Sequence, residues 1–99
     1  MENKRTSAEE LKQEVSQLRE KIESGQDHLA IELGFPKFLM TIEKTLLAEK
    51  LDRETLERCD FGIFRLVTES YSFEQSALGK ELLDLGTKIR NLARDLPSA

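Results

Sequence analysis

Chemistry in this chain would have to come from few groups. There is one histidine, His28, and one cysteine, Cys59, while the 19 Asp and Glu residues are plentiful. A metal site at His28 would have to recruit Cys59 and carboxylates from distant segments, because no ligand pair stands at close metal-binding spacing. Directly after Asp27, His28 reads as a surface histidine at a helix start. Cys59 lies between Arg58 and Asp60. The arginine could lower its pKa and make a reactive thiol, but a buried cysteine acting as a small hydrophobe is the plainer reading. The carboxylate pairs Glu9–Glu10, Glu54–Glu57 and Glu57–Asp60 sit among Lys and Arg on polar faces. Acid–base hydrolysis needs two carboxylates in a cleft, held in unlike environments. A di-iron bundle needs Glu-x-x-His from two helices, which one histidine cannot supply. The sequence therefore offers no catalytic residue, no metal ligand and no cofactor.

A sharper candidate is Leu29-Ala30-Ile31-Glu32-Leu33-Gly34-Phe35, an alanine and then a glycine four residues on, between short helices. Helix-turn-helix DNA binders use such turns. The recognition helix of residues 28–44 would then present Pro36, Lys37, Phe38, Thr41 and Ile42, with Glu43 close behind. That set is poor in the Arg, Lys, Asn and Gln side chains that read base edges and hold phosphates. The mild net charge of −4 adds no basic field.

The elements that must carry these residues are helices. Ser7 and Glu10 form a capping box, and Ala8, Leu11, Val15, Leu18 and Ile22 follow at steps of three and four, a narrow heptad seam. Gly25 suits the end of this first helix, although Leu29 continues the seam and leaves one long helix over 8–33 open. Asp27 caps a short helix, Gly34 closes it, and Pro36 fits the first turn of the next, a broadly apolar element. Asp52 caps a fourth helix on which Leu56, Ile63, Val67 and Tyr71 share a face that Phe61 and Phe64 widen. Ser72 with Gln75 offers a second capping box, so a break there is expected, with one continuous helix as the alternative. In the last helix Leu78, Leu82, Leu85, Ile89, Leu92 and Leu96 alternate steps of four and three, and Ser72, Gly79, Gly86 and Ala93 recur every seven residues beside them. Two helical glycines cost about 1 kcal/mol each relative to alanine, and close packing is the compensation to expect. A neighbouring helix or a ring such as Phe38, Phe61 or Phe64 would approach there, and Gly86→Leu would be severely destabilising. Pro97 ends the helix.

These readings give an all-α fold. It is an antiparallel helical bundle of four main helices plus one short helix, at about 8–24, 28–33, 36–50, 53–70 and 73–96. A flexible start over 1–6 precedes a single helical domain over 7–97. The lone cysteine excludes an internal disulfide and fits a reducing compartment. No apolar run follows Lys4–Arg5 as in a signal peptide, and none is long enough to span a bilayer. The location to expect is the cytoplasm.

The function these features point to is a small non-enzymatic protein–protein interaction module, of adaptor, chaperone-like or immunity-type character. Its partner would be another protein or a second copy of itself, with nucleic acid disfavoured and no membrane. The coiled-coil-like seam Leu11, Val15, Leu18 and Ile22 would serve as a docking or self-association arm, joined by Phe35 and Phe38 at the Gly34–Pro36 turn. Whether that helix folds back or reaches out is open. A DNA-binding regulator acting through 28–44 is the alternative. An enzyme or ligand carrier with a cavity beside the glycines and phenylalanines is a third reading.

Overall fold

In a computed structural model the described residues are 4–25 and 27–96. Six helices account for most of them: α1 Lys4–Gly25, α2 His28–Glu32, α3 Phe35–Leu47, α4 Arg53–Thr68, α5 Tyr71–Glu74 and α6 Ala77–Arg94. There is no strand among the described residues. The helices sort into two compact units, Met1–Ala48 and Glu49–Ala99.

In the first unit, α1 packs along α3, with α2 between them in sequence. The heptad seam of α1 is core: Ala8, Val15 and Ile22 have no exposed surface, and Leu11 and Leu18 are buried. From α3 they meet Phe35, Leu39, Ile42 and Leu46, also without exposed surface. Fully burying such a side chain is worth about 1.5–3 kcal/mol. The helix starts a turn earlier than its capping box implies, since Lys4 to Thr6 are already helical and Ser7 lies inside the helix. Residues 1–3 of the expected flexible start, and Pro97, lie outside the described residues.

Between α1 and α2 the chain breaks as Gly25 suggests, and the long 8–33 helix does not form. The Asp27 carboxylate accepts from the Ala30 N–H at 3.0 Å and caps α2. Gly34 sits at φ +87°, in the left-handed region that favours glycine, and turns the chain from α2 into α3. Pro36 follows in the first turn of α3, where a missing N–H leaves no gap in the ladder. Helix α3 ends at Leu47, three residues short of the expected boundary.

The second unit is an antiparallel hairpin of α4 and α6, shown by Asp60 lying beside Gly86 and Arg90 while the Arg53 guanidinium lies 3.5 Å from the Leu96 carbonyl. Asp52 caps α4 through the Thr55 N–H at 3.2 Å. The break near residue 70 is wider than a kink. Ser70 caps the one-turn helix α5, and Ser76 caps α6 through the Gly79 N–H at 3.0 Å. Ser72 caps neither, so α6 begins at Ala77 rather than 73. That insertion also takes Tyr71 off the α4 face it was expected to share, leaving it 78% exposed.

The small stripe of α6 does what its cost requires. Gly79, Gly86 and Ala93 are all buried. A Cβ on Gly79 would run into the backbone carbonyl of Phe73, and one on Gly86 would meet Asp60 Oδ1 at 2.8 Å and Ile63 Cγ2 at 3.7 Å.

Candidate functional site

Helix α4 buries a stripe at steps of three, four and four: Leu56, Cys59, Ile63 and Val67. Cys59 is therefore a core residue. Phe61 and Phe64 fall off that stripe, the first by more than a quarter turn on either side. Both rings stand in solvent, 62% and 55% exposed, rather than widening the core face or filling the space beside the glycines. Most exposed apolar residues on a soluble protein are scattered singly, whereas two large rings one turn apart make a patch. The angular spacing was a signal available in the sequence. Aromatic character alone pointed inward.

Beside the rings runs a groove of about 420 Å³ between α4 and α6, lined by Asp60, Phe61, Ile63, Phe64, Leu83, Gly86, Thr87 and Arg90. Gly86 forms part of its lining, and the absence of a side chain is what lets the Asp60 carboxylate lie so close to this backbone. Asp60 is mostly covered, its side chain 22% exposed, and its carboxylate lies 3.8 Å from Arg90 Nε. Burial pushes the Asp60 carboxyl above the ordinary aspartate range, and the positive charge of Arg90 opposes that rise. Arg90 Nη2 also donates to Thr87 Oγ1 at 3.3 Å, and its side chain is 48% exposed. The site thus pairs an apolar wall with one acid and one base.

Gly86→Leu should be milder than the small-residue stripe alone implies. The atom it meets first belongs to the Asp60 side chain, which can swing toward the groove. Unfolding in urea should show a loss of about 2 kcal/mol, within the usual range for overpacking a core. An unchanged midpoint would mean that Gly86 is not a packing residue.

The residues expected to dock a partner lie elsewhere. Leu11, Val15, Leu18, Ile22 and Phe35 are buried in the first unit, and Phe38 is half-buried. Helix α1 folds back on α3 and consumes its own seam, so these side chains offer almost no free apolar surface in this state. In the 28–44 segment, the outward residues of α3 are Lys37, Met40, Thr41 and Lys44. Thr41 Oγ1 donates to the Lys37 carbonyl of its own helix. His28 is exposed at the first residue of α2. Among the described residues no three His, Cys, Asp or Glu side chains come together as a metal set. No helix among them is long and apolar enough to cross a membrane.

A second polar feature reverses the setting expected for Glu43 beside the outward residues of α3. Glu43 is buried, 8% exposed, on the α3 face that meets α1. Its carboxylate accepts from Ser16 Oγ at 2.6 Å, Arg19 Nε at 2.5 Å and Arg19 Nη2 at 3.3 Å, while Arg19 Nη1 reaches Glu23 at 2.9 Å. The Arg19 hydrogen bond holds the Glu43 carboxyl below the ordinary glutamate range, against the opposing cost of burial. This cluster is a clamp inside one unit, in which one guanidinium, that of Arg19, bridges the carboxylates of Glu43 and Glu23. No protein-family model, curated protein or solved structure matches this chain, so the reading of the α4–α6 face rests on its own residues.

Proposed function

We propose that this chain is a non-enzymatic protein-interaction module that works by presenting the α4–α6 face of its second unit. The observation that carries the reading is the exposure of Phe61 and Phe64 beside a groove that holds Asp60 and Arg90. Aromatic rings and arginine are the side chains that anchor protein interfaces, and a charged pair at the edge sets orientation. A small-molecule carrier would bury most of its ligand's surface. Two rings on its α4 wall that are each more than half exposed suit a flat partner better than a small guest.

Photo-crosslinking tests this directly. A benzophenone amino acid at position 64 is compared with the same group at position 81, two residues from Leu83 and so about 200° round α6 from the groove flank. The expected result is a discrete protein adduct from position 64 that Phe61→Ser abolishes and that position 81 does not form. Equal labelling from both positions overturns the reading.

A second reading, DNA binding through residues 28–44, draws on the left-handed Gly34 between α2 and α3. Its outward stripe offers two lysines, so binding would be dominated by phosphate contacts and steeply salt-dependent. Absence of DNA retention at low ionic strength ends it.

A further inference from the structure

We propose that the occupant of the α4–α6 face is the same face of a second copy of this chain, laid so that α4 of each copy covers α6 of the other. The inference rests on the interaction reading above and names its partner. A two-fold interface brings one patch against itself, so whatever residue i offers, residue j of the same patch must answer. This patch is built in that way. Glu57, Phe61 and Phe64 follow at steps of four and three along one flank of α4, with Asp60 at their side. Leu83, Thr87, Arg90 and Arg94 follow at four, three and four along the facing flank of α6. Glu57, Arg90 and Arg94 are exposed. The α4 flank therefore carries two acids, of which Glu57 also lies 3.8 Å from Arg53 of its own helix, and the α6 flank carries two bases, with apolar groups on both.

Crossing the two flanks sets acid over base twice and seats the rings of each copy over Leu83 and into the groove of the other. Within one copy the Asp60–Arg90 pair is loose, 3.8 Å from Nε to Oδ2 and beyond hydrogen-bond distance, and Arg90 keeps half its side chain in solvent. Asp60 is already largely removed from water and gains most from a second, closer cation. A partner of uniform sign answers only one flank. A nucleic acid or an anionic bilayer would be repelled by Glu57 and Asp60. A second copy answers both flanks at once.

Sedimentation equilibrium of the full chain, over about 10 to 500 µM, spans the affinity expected of a small, transient interface. The expected mass rises from 11.4 kDa toward twice that value. Phe64→Ser should weaken association by about 30-fold or more, the scale of an interface anchor, with circular dichroism unchanged because the ring is exposed. Asp60→Lys and Arg90→Glu should each be monomeric. Mixed in equal amounts, they should recover the heavier species, because each then meets its opposite charge only across the interface. If Asp60→Lys disturbs the packing beside Gly86, the exposed pair Glu57→Lys with Arg94→Glu performs the same exchange. A wild-type mass of 11.4 kDa throughout, or a dimer indifferent to these variants, overturns the inference. A monomer that still gives a discrete adduct to a different protein from position 64 removes the second copy and leaves the interaction module standing. No adduct from position 64 removes both.

Discussion

Gly79→Ala should lower the stability of the 49–99 unit by about 3 kcal/mol, the upper end of the range for overpacking, and its midpoint in urea should fall accordingly. Alanine ordinarily improves a helix by about 1 kcal/mol over glycine, so the sign itself is diagnostic. At Gly79 the added methyl meets a backbone carbonyl, that of Phe73, and next the Glu74 Cα, neither of which can turn aside as a side chain can. Relief would require α5 to move. The same carbonyl accepts from the Ser76 hydroxyl, which also caps α6 through the Gly79 N–H, so the displacement would cost hydrogen bonds as well. Gly86→Ala is the matched control: there the nearest atom is the end of the Asp60 side chain, and the loss should be small. Equal midpoints for Gly79→Ala and wild type would show that α5 and α6 are not held against each other.

Removing the carboxylate of Glu43 is the second large effect. Glu43→Ala should cost about 2.5 kcal/mol, the worth of hydrogen bonds to a charged group lost at a largely buried site. Arg19 keeps partial contact with water and Glu23, which limits the loss. The pH dependence carries more information. The Glu43 carboxyl titrates below its ordinary value of 4.5 in the folded chain. The unfolded chain therefore takes up the proton first as the pH drops. The contribution is fully present above pH 4.5 and disappears as the pH falls through the lower folded value. Glu43→Gln should be less stable than wild type at pH 7, and the gap should close in acid. A gap that is constant from pH 7 to below 4 would mean that the clamp contributes packing rather than charge.

Periodicity made much of this fold legible. Every seam position of the first helix from Ala8 to Ile22 is buried, as are Leu82, Leu85, Ile89 and Leu92 of the last and Leu96 just past its end. Asp27 and Asp52 cap the helices their positions suggest, because a cap depends on residues three apart and on nothing distant. What failed was non-local. Glu43 is a charged residue on an apolar face, and only Ser16 and Arg19, more than 20 residues away, make that tolerable. Three serines, Ser70, Ser72 and Ser76, each look like a cap. Ser76 caps α6 in a unit where Gly79 must pass beneath the Phe73 carbonyl. The stripe of α1 is thin and polar on both sides, which marks it in the sequence as a docking surface. That stripe is matched by α3, and the aromatic pair of α4 is left outside.

Each unit also closes within a short length of chain. The clamp joins residues 24 apart, and the Arg53–Leu96 contact, near the ends of its unit, spans 43. Loop-closure entropy grows only slowly with length, and short closures are met early. During synthesis, Phe35, Leu39 and Ile42 have α1 waiting for them as soon as they emerge, so the amino-terminal half can complete its core before α4 exists. Ile63 and Val67 leave the ribosome later, with α6 still to come, and spend that interval uncovered beside the outward rings of Phe61 and Phe64. Aggregation during expression should therefore start from the carboxy-terminal half, where the slowest apolar surface to be covered lies.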